Sequence, residues 1–318
     1  MSAPTFATRL TKIDVLSDEV SSFTFEALDG APFAACKPGD HVDVHLAGDM
    51  QRQYSLWQWD PAGRWGSVAV KREDAGRGGS KAMHALKEGD SVTLTGPRSN
   101  FPLHDEAAHS ILLAGGIGAT PIHAMAAHLK AQGKPVDVYY LVRGKTHSAF
   151  QPAFEALGLG AALHCHYDDT DGLFDLDAML AAAPAGTHLY VCGPEPLLQA
   201  AIAAGEKHLP HNAIHFERFS ADPSAKEGEN HAFELVLQQS GKTLQVPADR
   251  SILDALAAAK IPADYSCSEG ICGACITDVL EGEIDHRDSV LTDEERADGD
   301  IMCLCVSRAK GKRLVIDL

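Results

Sequence analysis

Four cysteines near the C-terminus constrain the fold of this chain more than any other feature. They are spaced C-x4-C-x2-C-x29-C, with Cys267, Cys272 and Cys275 on one short loop and Cys305 far along the chain. Small residues in the loop let backbone N–H groups turn inward toward the sulfurs without a Cβ atom in the way. Zinc sites usually take their ligands as two close pairs, whereas here three thiols are close and one is remote. The spacing therefore favours an iron–sulfur centre over a zinc site or four buried thiols.

The spacing alone leaves the fourth ligand open. Three thiolates on a tight loop and a fourth from a distant strand are the pattern of the plant-type [2Fe–2S] centre. Cys303 competes with Cys305 for the fourth place, because it gives x27 in place of x29. In a strand the two side chains would point to the same side. Spacing favours Cys305 without excluding Cys303.

Length and composition indicate a globular protein of several domains. With 318 residues, the chain is too long for a single small iron–sulfur domain and suits two or three domains. Its 45% hydrophobic content provides an ample core. No stretch approaches the roughly 20 apolar residues of a membrane span, and the first residues do not resemble a signal peptide. Because four of the eight cysteines are used by a cluster, we expect a reducing, cytoplasmic location.

The charge distribution limits the partners that the chain can have. A net charge of −17 argues against a nucleic-acid surface, which needs clustered Lys and Arg. Between Asp278 and Asp300 there are ten acidic residues and only two basic ones. Such a run is either a solvated face or, beside a redox centre, a surface that steers a basic partner protein.

Changes in pattern along the chain predict a multidomain fold. Short alternating strands in the first segment predict an antiparallel β-barrel with one helix, near Ser80–Leu86. Four strands alternate with three helices in the second segment, which predicts an α/β doubly wound domain with a parallel sheet. A hairpin, a helix capped by Ser251, the cysteine loop and a strand carrying Cys305 predict a small mixed sheet in the third. The predicted bounds are 1–104, 105–221 and 231–318, with a polar linker at 222–230.

Two segments of the first domain are candidates for holding a phosphorylated cofactor. Arg52, Tyr54 and Ser55 lie on one predicted strand. About 25 residues later, a glycine-rich turn runs into a helix, and such a turn offers backbone N–H groups and a positive helix end to a phosphate. This turn contains Gly78, Gly79 and Ser80. Each segment is a weak signal alone, since Tyr54 is equally a core aromatic and a glycine-rich loop is more often a plain turn.

Two glycine turns of the second domain are candidates for binding a dinucleotide. The first follows a strand and contains Gly115, Gly116, Gly118, Thr120 and Pro121. Thr120 is expected to cap the following helix, and the glycines allow close approach of a pyrophosphate. The spacing is GGxG and not the usual GxGxxG. The second turn, Cys192-Gly193-Pro194, ends another strand at the sheet edge where α/β domains bind ligands, although Cys192 is equally a buried thiol.

Taken together, these motifs resemble those of the phthalate dioxygenase reductase family, and they are also similar to those of vanillate O-demethylase reductases. The likeness covers nearly the whole chain, and its motifs occur in one order. They are Arg52-Gln-Tyr-Ser55, Gly115-Gly-Ile-Gly118 with Thr120-Pro121, Cys192-Gly-Pro194, His215-Phe-Glu-Arg-Phe219, the four cluster cysteines, Asp285-His-Arg-Asp288 and Cys305-Val-Ser-Arg308. Alignment on the last of these motifs also implies Cys305 as the fourth ligand.

The resemblance implies an FMN-binding barrel, an NAD-binding α/β domain and a plant-type ferredoxin domain of β-grasp fold. The residues implied to hold the flavin are Arg52, Tyr54, Ser55, Val70, Lys71, Gly78, Gly79 and Ser80. Those implied for the nicotinamide dinucleotide are Gly115, Gly116, Gly118, Thr120, Pro121, Arg143, Cys192, Gly193 and Pro194. Thr120, Cys192 and Phe219 would surround the place where the flavin and the nicotinamide meet.

The function implied is that of a monomeric reductase component of a two-component Rieske non-heme iron oxygenase. It would pass electrons from NADH through FMN and the cluster to that oxygenase. Two alternatives stay open: a fused ferredoxin reductase serving another monooxygenase such as a cytochrome P450, and a non-catalytic iron–sulfur carrier. Arg143 and Lys145 follow the second strand of the α/β domain, so use of NADPH is also open. His164, Cys165 and His166 are interpreted as a plain strand, since alternation sends Cys165 to the opposite face.

Overall fold

The first domain is a closed barrel of six antiparallel strands in the order β1-β2-β5-β4-β3-β6. This computed structural model describes residues 4–28, 30, 35–48, 50–220 and 229–318. The strands are β1 (Thr5–Val15), β2 (Val20–Ala27), β3 (Asp40–Leu46), β4 (Met50–Trp59), β5 (Trp65–Lys71) and β6 (Ser91–Ser99), with helix α1 (Gly79–Ala85) before the last. Inward-facing residues such as Phe23, Phe25 and Val68 fill the interior. The predicted barrel and its single helix are confirmed.

The second domain is a five-stranded parallel sheet with helices on both faces. The order along the sheet is β11-β10-β7-β8-β9. The elements are β7 (His109–Gly115), α2 (Ala119–Ala131), β8 (Val136–Val142), α3 (Gln151–Ala156), β9 (Leu163–Tyr167), α4 (Asp168–Asp171), α5 (Leu176–Ala181), β10 (Thr187–Cys192), α6 (Glu195–His208) and β11 (Ile214–Glu217). Successive β7 residues alternate between two cores, since Leu112 packs on the α2 side and Leu113 on the α5 and α6 side. The doubly wound arrangement is as predicted, with β11 as an additional strand.

Two local predictions for this domain have different outcomes. The capping role predicted for Thr120 is wrong, because a 3-10 turn at Gly116–Gly118 precedes α2 and makes Gly118 the N-cap. The Thr120 hydroxyl instead donates to the Ile117 carbonyl at 3.1 Å. The predicted alternation on β9 is confirmed. Cys165 packs against the core on the α2 side, whereas the His164 ring stacks on Tyr139 of the opposite core.

The third domain is a small mixed sheet in the order β13-β12-β18-β14-β16, beside a two-stranded β15–β17 pair. Strand β12 runs parallel to β18, and the other pairs are antiparallel. Ser251 caps α7 in a capping box with Asp254, as its side chain predicts. The elements are β12 (Phe233–Leu237), β13 (Lys242–Val246), α7 (Ile252–Ala258), β14 (Ile276–Glu281), β15 (Ile284–Asp285), α8 (Asp293–Asp298), β16 (Ile301–Cys303), β17 (Arg308–Ala309) and β18 (Arg313–Ile316).

The chain divides into two compact units, one up to Glu217 and one from Arg218 onward. The barrel and the parallel sheet both belong to the first unit, so the boundary predicted between 104 and 105 stays a prediction. Most of the predicted linker at 222–230 lies outside the described residues, which resume at 229. None of the described helices is long and apolar enough to cross a membrane.

Candidate functional site

Arg52 of β4 lies against the glycine turn that begins α1. Its guanidinium donates to the carbonyl oxygens of Gln51, at 2.8 Å, and Arg77, at 3.1 Å. A Cβ atom at Gly79 would come within 2.6 Å of the Arg52 side chain, so glycine is required there. Gly78 has φ 86°, in the left-handed region that favours glycine. The fold therefore brings together two motifs that are separate in the sequence.

Three other residues expected around the flavin have structural partners of their own. The Ser80 hydroxyl accepts from the Glu73 N–H at 2.9 Å and so closes the glycine-rich loop. The Lys71 ammonium lies 3.0 Å from the Glu73 carboxylate. Val70 is buried in the barrel core, and its carbonyl accepts from His84 Nε2 at 2.9 Å. These contacts shape the loop, and the expected flavin contacts of the three residues stay predictions.

A hydroxyl, a thiol and a carboxyl gather at the carboxyl end of the parallel sheet. Cys192 and Glu217, the last residues of β10 and β11, are directly paired neighbours. Ser55 of barrel strand β4 donates to Glu217 Oε2 at 3.4 Å. Ser55 and Cys192 are both buried. Because parallel α/β sheets bind ligands at this edge, the three side chains form the strongest candidate site of the first unit.

Burial sets the protonation of this trio. It raises the pKa of Glu217 to about 8, and the hydrogen bond from Ser55 offsets only part of the effect. Burial, followed by the charge of Glu217, raises the pKa of Cys192 well above the usual value for a thiol. Both shifts favour the protonated forms of the two groups. The sequence motif that contains Glu217 gives no sign of this role, since the contact of Glu217 with Ser55 depends on the tertiary fold.

The two glycine turns of the parallel sheet pack against each other beside this trio. A Cβ atom at Gly118 would overlap the Cys192 carbonyl, and one at Gly193 would lie 2.9 Å from the Cα atom of Gly115. Thr120 is buried at the start of α2, and Pro194 is the N-cap of α6. The predicted dinucleotide residues of both turns thus share one edge of the sheet.

A carboxylate that sequence analysis missed lies at the end of β8. The Asp169 N–H donates to the Arg143 carbonyl at 2.9 Å. The Asp169 carboxylate lies against Gly144, where it leaves no room for a side chain. Arg143 itself is exposed. The acidic run at 168–171, directly after a predicted strand, was the available signal for this group.

Tyr54 and Phe219 complete the residues expected near the flavin. Tyr54 packs on the barrel core, and burial raises the pKa of its phenol to about 12, an effect that the Arg52 charge partly opposes. Phe219 belongs to the second unit, and 39% of its surface is exposed. Its expected role stays a prediction.

The four cysteines predicted as ligands are buried and lie together in the second unit. Cys305 contacts the sulfurs of both Cys267 and Cys275, and Cys272 contacts Cys267. Backbone N–H groups of the loop point at the sulfurs, from Glu269 to Cys267 Sγ at 3.2 Å and from Ala274 to Cys272 Sγ at 3.4 Å. Within the described residues no three His, Cys, Asp or Glu side chains converge on a single-ion centre. Four thiols linked by these contacts, with inward N–H groups, fit a cluster of two irons.

Hydrogen bonds among the thiols favour the deprotonated form of two of them. Donation from Cys272, and then from Cys305, holds the pKa of Cys267 well below the usual thiol value. Donation from Cys303, and then from Cys305, does the same for Cys275. The same hydrogen bonds, followed by burial, raise the pKa values of Cys272 and Cys305. The thiols therefore share protons, which are released when a metal binds.

The expectation that Cys305 lies on a strand is wrong. Strand β16 ends at Cys303, and the N–H groups of Val306 and Ser307 bond back to the Cys303 carbonyl at 3.3 and 3.0 Å. The chain therefore turns at Leu304–Val306, so the two cysteines do not share a strand face. The Leu304 N–H donates to the Cys275 carbonyl at 3.2 Å, which fixes the turn against the cysteine loop.

The two other motifs of this domain have a structural role. The buried Asp288 carboxylate accepts from the N–H groups of Val290, at 3.2 Å, and Leu291, at 2.9 Å. The Arg308 guanidinium donates to three backbone carbonyls at 2.7 to 2.9 Å. The Asp288 segment lies beside the cysteine loop, since the Ser289 N–H donates to the Gly270 carbonyl at 2.7 Å. The Arg308 bonds join the segments at His231 and at Pro247–Arg250.

Fold and site together define an electron-transfer reductase that carries an iron–sulfur domain. The family model described as 2Fe-2S iron–sulfur cluster binding domain matches residues 235–310. The model for the N-terminal domain of dimethylamine monooxygenase subunit DmmA-like proteins matches residues 96–214. The chain is 40% identical to the vanillate O-demethylase oxidoreductase of a Pseudomonas species over 96% of this chain and 97% of that protein. The chain belongs to the phthalate dioxygenase reductase family.

Two solved structures agree with this assignment. The structure described as phthalate dioxygenase reductase, with electron transfer from pyridine nucleotides to [2Fe-2S], is 35% identical with a TM-score of 0.73, over 99% of this chain and 98% of that one. An intact type IV self-sufficient cytochrome P450 monooxygenase is 38% identical with a TM-score of 0.87, over 99% of this chain and 41% of that one. Family membership confirms an NADH-dependent flavin iron–sulfur oxidoreductase that serves as the reductase component of an oxygenase system.

Proposed function

We propose that this chain is the reductase component of a two-component Rieske non-heme iron oxygenase of the aromatic dioxygenase or O-demethylase type. The observation that carries the proposal is that one chain combines the Ser55–Cys192–Glu217 trio with a four-thiol site. When bound, NADH supplies a hydride, the flavin divides its electron pair, and the cluster delivers single electrons. The names of the vanillate and phthalate relatives support an oxygenase partner. A cytoplasmic location and a monomeric state are part of the proposal.

The barrel residues hold FMN in this proposal. Arg52, fixed against Gly79, provides a positive charge for the flavin phosphate, and the Gly78–Ser80 turn provides N–H groups. Tyr54, Val70 and Lys71 would line the isoalloxazine ring. A turn that receives a terminal phosphate favours FMN over FAD.

The trio at the sheet edge positions the nicotinamide and holds a proton beside it. Glu217 keeps its proton at neutral pH because burial raises its pKa, so a neutral carboxyl and not a carboxylate faces the site. A neutral carboxyl binds water less strongly than a carboxylate does, so it would help to keep water away from a bound nicotinamide. Ser55 orients the Glu217 carboxyl, while Cys192 and Thr120 exclude water.

The glycine turns and the Asp169 region bind the dinucleotide. The turns at Gly115–Gly118 and Cys192–Pro194 accept the pyrophosphate at the sheet edge. An acidic residue near the end of the second strand binds the adenosine ribose hydroxyls and repels a 2′-phosphate. The Asp169 carboxylate occupies that position, which supports a preference for NADH despite Arg143.

Cys267, Cys272, Cys275 and Cys305 hold the cluster in this proposal. Cys305 is favoured over Cys303 because it contacts sulfurs on both sides of the loop, Cys267 and Cys275. The acidic stretch between Asp278 and Asp300 then gives the neighbouring surface a charge that suits a basic docking face on the oxygenase.

A second function is favoured by the similarity to a self-sufficient cytochrome P450, in which the partner is a haem monooxygenase. Turnover driven by NADH decides between the two. The purified protein is mixed with a vanillate-type Rieske oxygenase and, separately, with the haem domain of a P450. We expect product only with the Rieske oxygenase, and product only with the haem domain would overturn the proposal. Reduction of cytochrome c by NADH tests the carrier alternative, since a non-catalytic carrier would give none.

A further inference from the structure

A buried histidine joins the barrel to the parallel-sheet domain within the first unit. His123 lies on α2, three residues after Thr120, and only 3% of its surface is exposed. Its ring Nδ1 is 3.4 Å from the carbonyl oxygen of Trp57 on β4, and its Nε2 is 3.4 Å from that of Ala153 on α3. Neither the comparisons nor the proposed mechanism gives His123 a role.

The Trp57 carbonyl faces the histidine because β4 is irregular at this residue. The register between β4 and β5 shifts between Leu56 and Gln58 and skips Trp57, while the pairing of β4 with β3 ends at Ser55. A bulge of this kind places one residue outside the ladder and turns its side chain in a new direction. A buried carbonyl outside the ladder needs a donor from elsewhere, and the His123 ring lies next to it.

Trp57 is a barrel residue whose side chain packs in the core of the parallel-sheet domain. Its neighbour Leu56 packs in the barrel interior, whereas Trp57 belongs to the core on the α2 side of the sheet. The Trp57 ring makes edge contacts with Phe150, at 5.3 Å between ring centroids, and with His123, at 5.2 Å. Its indole Nε1 donates to Ser22 Oγ on β2 at 3.0 Å. Both domains therefore hold the Trp57 side chain.

We propose that His123 is a positioning residue for hydride transfer, whose Nδ1–H group donates to the Trp57 carbonyl and fixes the start of α2 against β4. The first turn of α2 carries Thr120 of the proposed nicotinamide site, and β4 carries Ser55 of the proposed flavin site. The inference rests on that part of the proposed function and not on the identity of the oxygenase. Hydride transfer needs reacting atoms about 3–3.5 Å apart, and an error of about 1 Å costs up to about 100-fold in rate.

A neutral His123 ring has one N–H group for two carbonyls. Burial lowers the pKa of His123, an effect that its bonds to the Trp57 and Ala153 carbonyls partly oppose, so the neutral form is favoured. Trp57 is buried, whereas Ala153 is only partly buried and more accessible to water. The carbonyl without access to water has the greater need of a protein donor. The proposal therefore assigns the N–H group to Nδ1.

The alternative role is packing, and it predicts a different order of effects. His123→Asn places an amide N–H group near the position of Nδ1, whereas His123→Gln places one near the position of Nε2. If the ring only fills space, the smaller asparagine leaves the larger cavity and is the more damaging of the two. Positioning through the Trp57 carbonyl predicts the reverse order. His123→Leu fills space but removes both donors.

The test is rapid anaerobic mixing of the full-length holoprotein with NADH, in which flavin absorbance gives the limiting rate of reduction and the dissociation constant of NADH. In His123→Gln and His123→Leu we expect the limiting rate to fall about tenfold while the dissociation constant stays the same. His123→Asn should keep most of the parent rate. His128→Asn is the matched control on the same helix, because partly exposed His128 pairs with Asp105, and it should behave as the parent protein.

A second readout does not depend on turnover. Titration of the reduced flavin with NAD⁺ should give a charge-transfer absorbance that persists in His123→Asn and weakens in His123→Gln and His123→Leu, since it requires the two rings to lie together. If His123→Leu does not fold, Ser22→Ala takes its place, because it removes the hydrogen bond that holds the Trp57 indole to the barrel. We expect a smaller fall in the limiting rate from that variant.

Three results would overturn the inference. Limiting rates that equal the parent rate in every variant show that the hydrogen bond does not position the reacting groups. A slower rate in His123→Asn than in His123→Gln shows an effect of packing. A weaker affinity for NADH with an unchanged limiting rate assigns His123 to binding and not to positioning. The proposed function fails separately, if NADH does not reduce the flavin of the parent protein, and the inference then fails with it.

Discussion

The thiol site takes all its proposed ligands from residues 267–305, whereas the sheet-edge site unites Ser55 and Glu217, which are 162 positions apart. The N–H groups that point at the sulfurs come from the same loop as three of the thiols. At the sheet edge, by contrast, a barrel strand, two parallel strands and two glycine turns each contribute a part.

This difference predicts how the two sites respond to substitution. A change at the thiol site removes one cofactor and leaves the first unit as it is, because domains with their own cores fold separately. A change at the sheet edge alters an assembly of several elements, so it affects stability, cofactor binding and hydride transfer together. Four experiments test this contrast, from the largest expected effect to the smallest.

Cys305→Ser is expected to abolish the electron paramagnetic resonance signal of the reduced cluster. Serine is a poor ligand for iron, and Cys305 contacts both sides of the loop. Cys303→Ser is the matched control and should retain the signal. Reduction of the flavin by NADH, followed by its absorbance, should survive in both variants. The opposite pattern of signals would show that Cys303 is the ligand.

Arg52→Ala should weaken flavin binding by roughly 10- to 150-fold, because a charge-assisted hydrogen bond contributes about 1.5–3 kcal/mol. Equilibrium dialysis of the flavin measures this change. Arg72→Ala is the control, since exposed Arg72 pairs with Asp74 in the same loop. Mass spectrometry of the released flavin should find FMN, and FAD would contradict the barrel assignment. Equal losses in both variants would show a general effect of charge.

Glu217→Gln should remove a pH dependence from the stability of the first unit. The folded carboxyl has a pKa of about 8, above its usual value of 4.5, so the folded state binds the proton more tightly. This contribution is fully present below pH 4.5 and is lost as the pH rises toward 8. The difference in the free energy of unfolding between pH 5 and pH 8 is measured by urea unfolding. The signal comes from Trp57, Trp59 and Trp65, which all lie in the barrel. If the stability of the Glu217→Gln variant falls by the same amount as the pH rises, Glu217 is not the cause of the pH dependence.

Asp169→Ser should raise kcat/KM for NADPH by roughly tenfold, or about 1.4 kcal/mol, while kcat/KM for NADH changes little or falls. The reason is that the Asp169 carboxylate would repel the 2′-phosphate. Asp177→Ser is the control, because Asp177 is an exposed carboxylate of the same domain that pairs with Lys207. In the Asp169→Ser background, Arg143→Asp should restore discrimination against NADPH. A parent protein that already prefers NADPH would contradict this account of Asp169.

The sequence predicts features that repeat or cluster locally. The alternation of apolar residues was enough to predict the six strands of the barrel. The cysteine spacing was enough to predict the iron–sulfur domain. The capping role of Ser251 could also be predicted from the sequence, because both partners of the capping box lie within one helical turn.

Features that depend on tertiary contacts were missed. Strand β11 has only four residues, and its pairing with β10 does not follow from its own composition. The role of Glu217 depends on Ser55, which comes from another domain. Cys305 lies in a turn and not in a strand because hydrogen bonds to the Cys303 carbonyl reverse the chain there. Asp169 reaches the end of β8 only through the turn that follows β9.

The order of reduction tests the central claim most directly. The holoprotein is mixed rapidly with NADH in the absence of oxygen, flavin absorbance is followed, and freeze-quenched samples are examined by electron paramagnetic resonance for the reduced cluster. We predict that the flavin is reduced first and the cluster afterward, and that Cys305→Ser reduces its flavin at the rate of the parent protein without any cluster signal. Cluster reduction that precedes flavin reduction, or that persists after the flavin has been removed, would contradict the account.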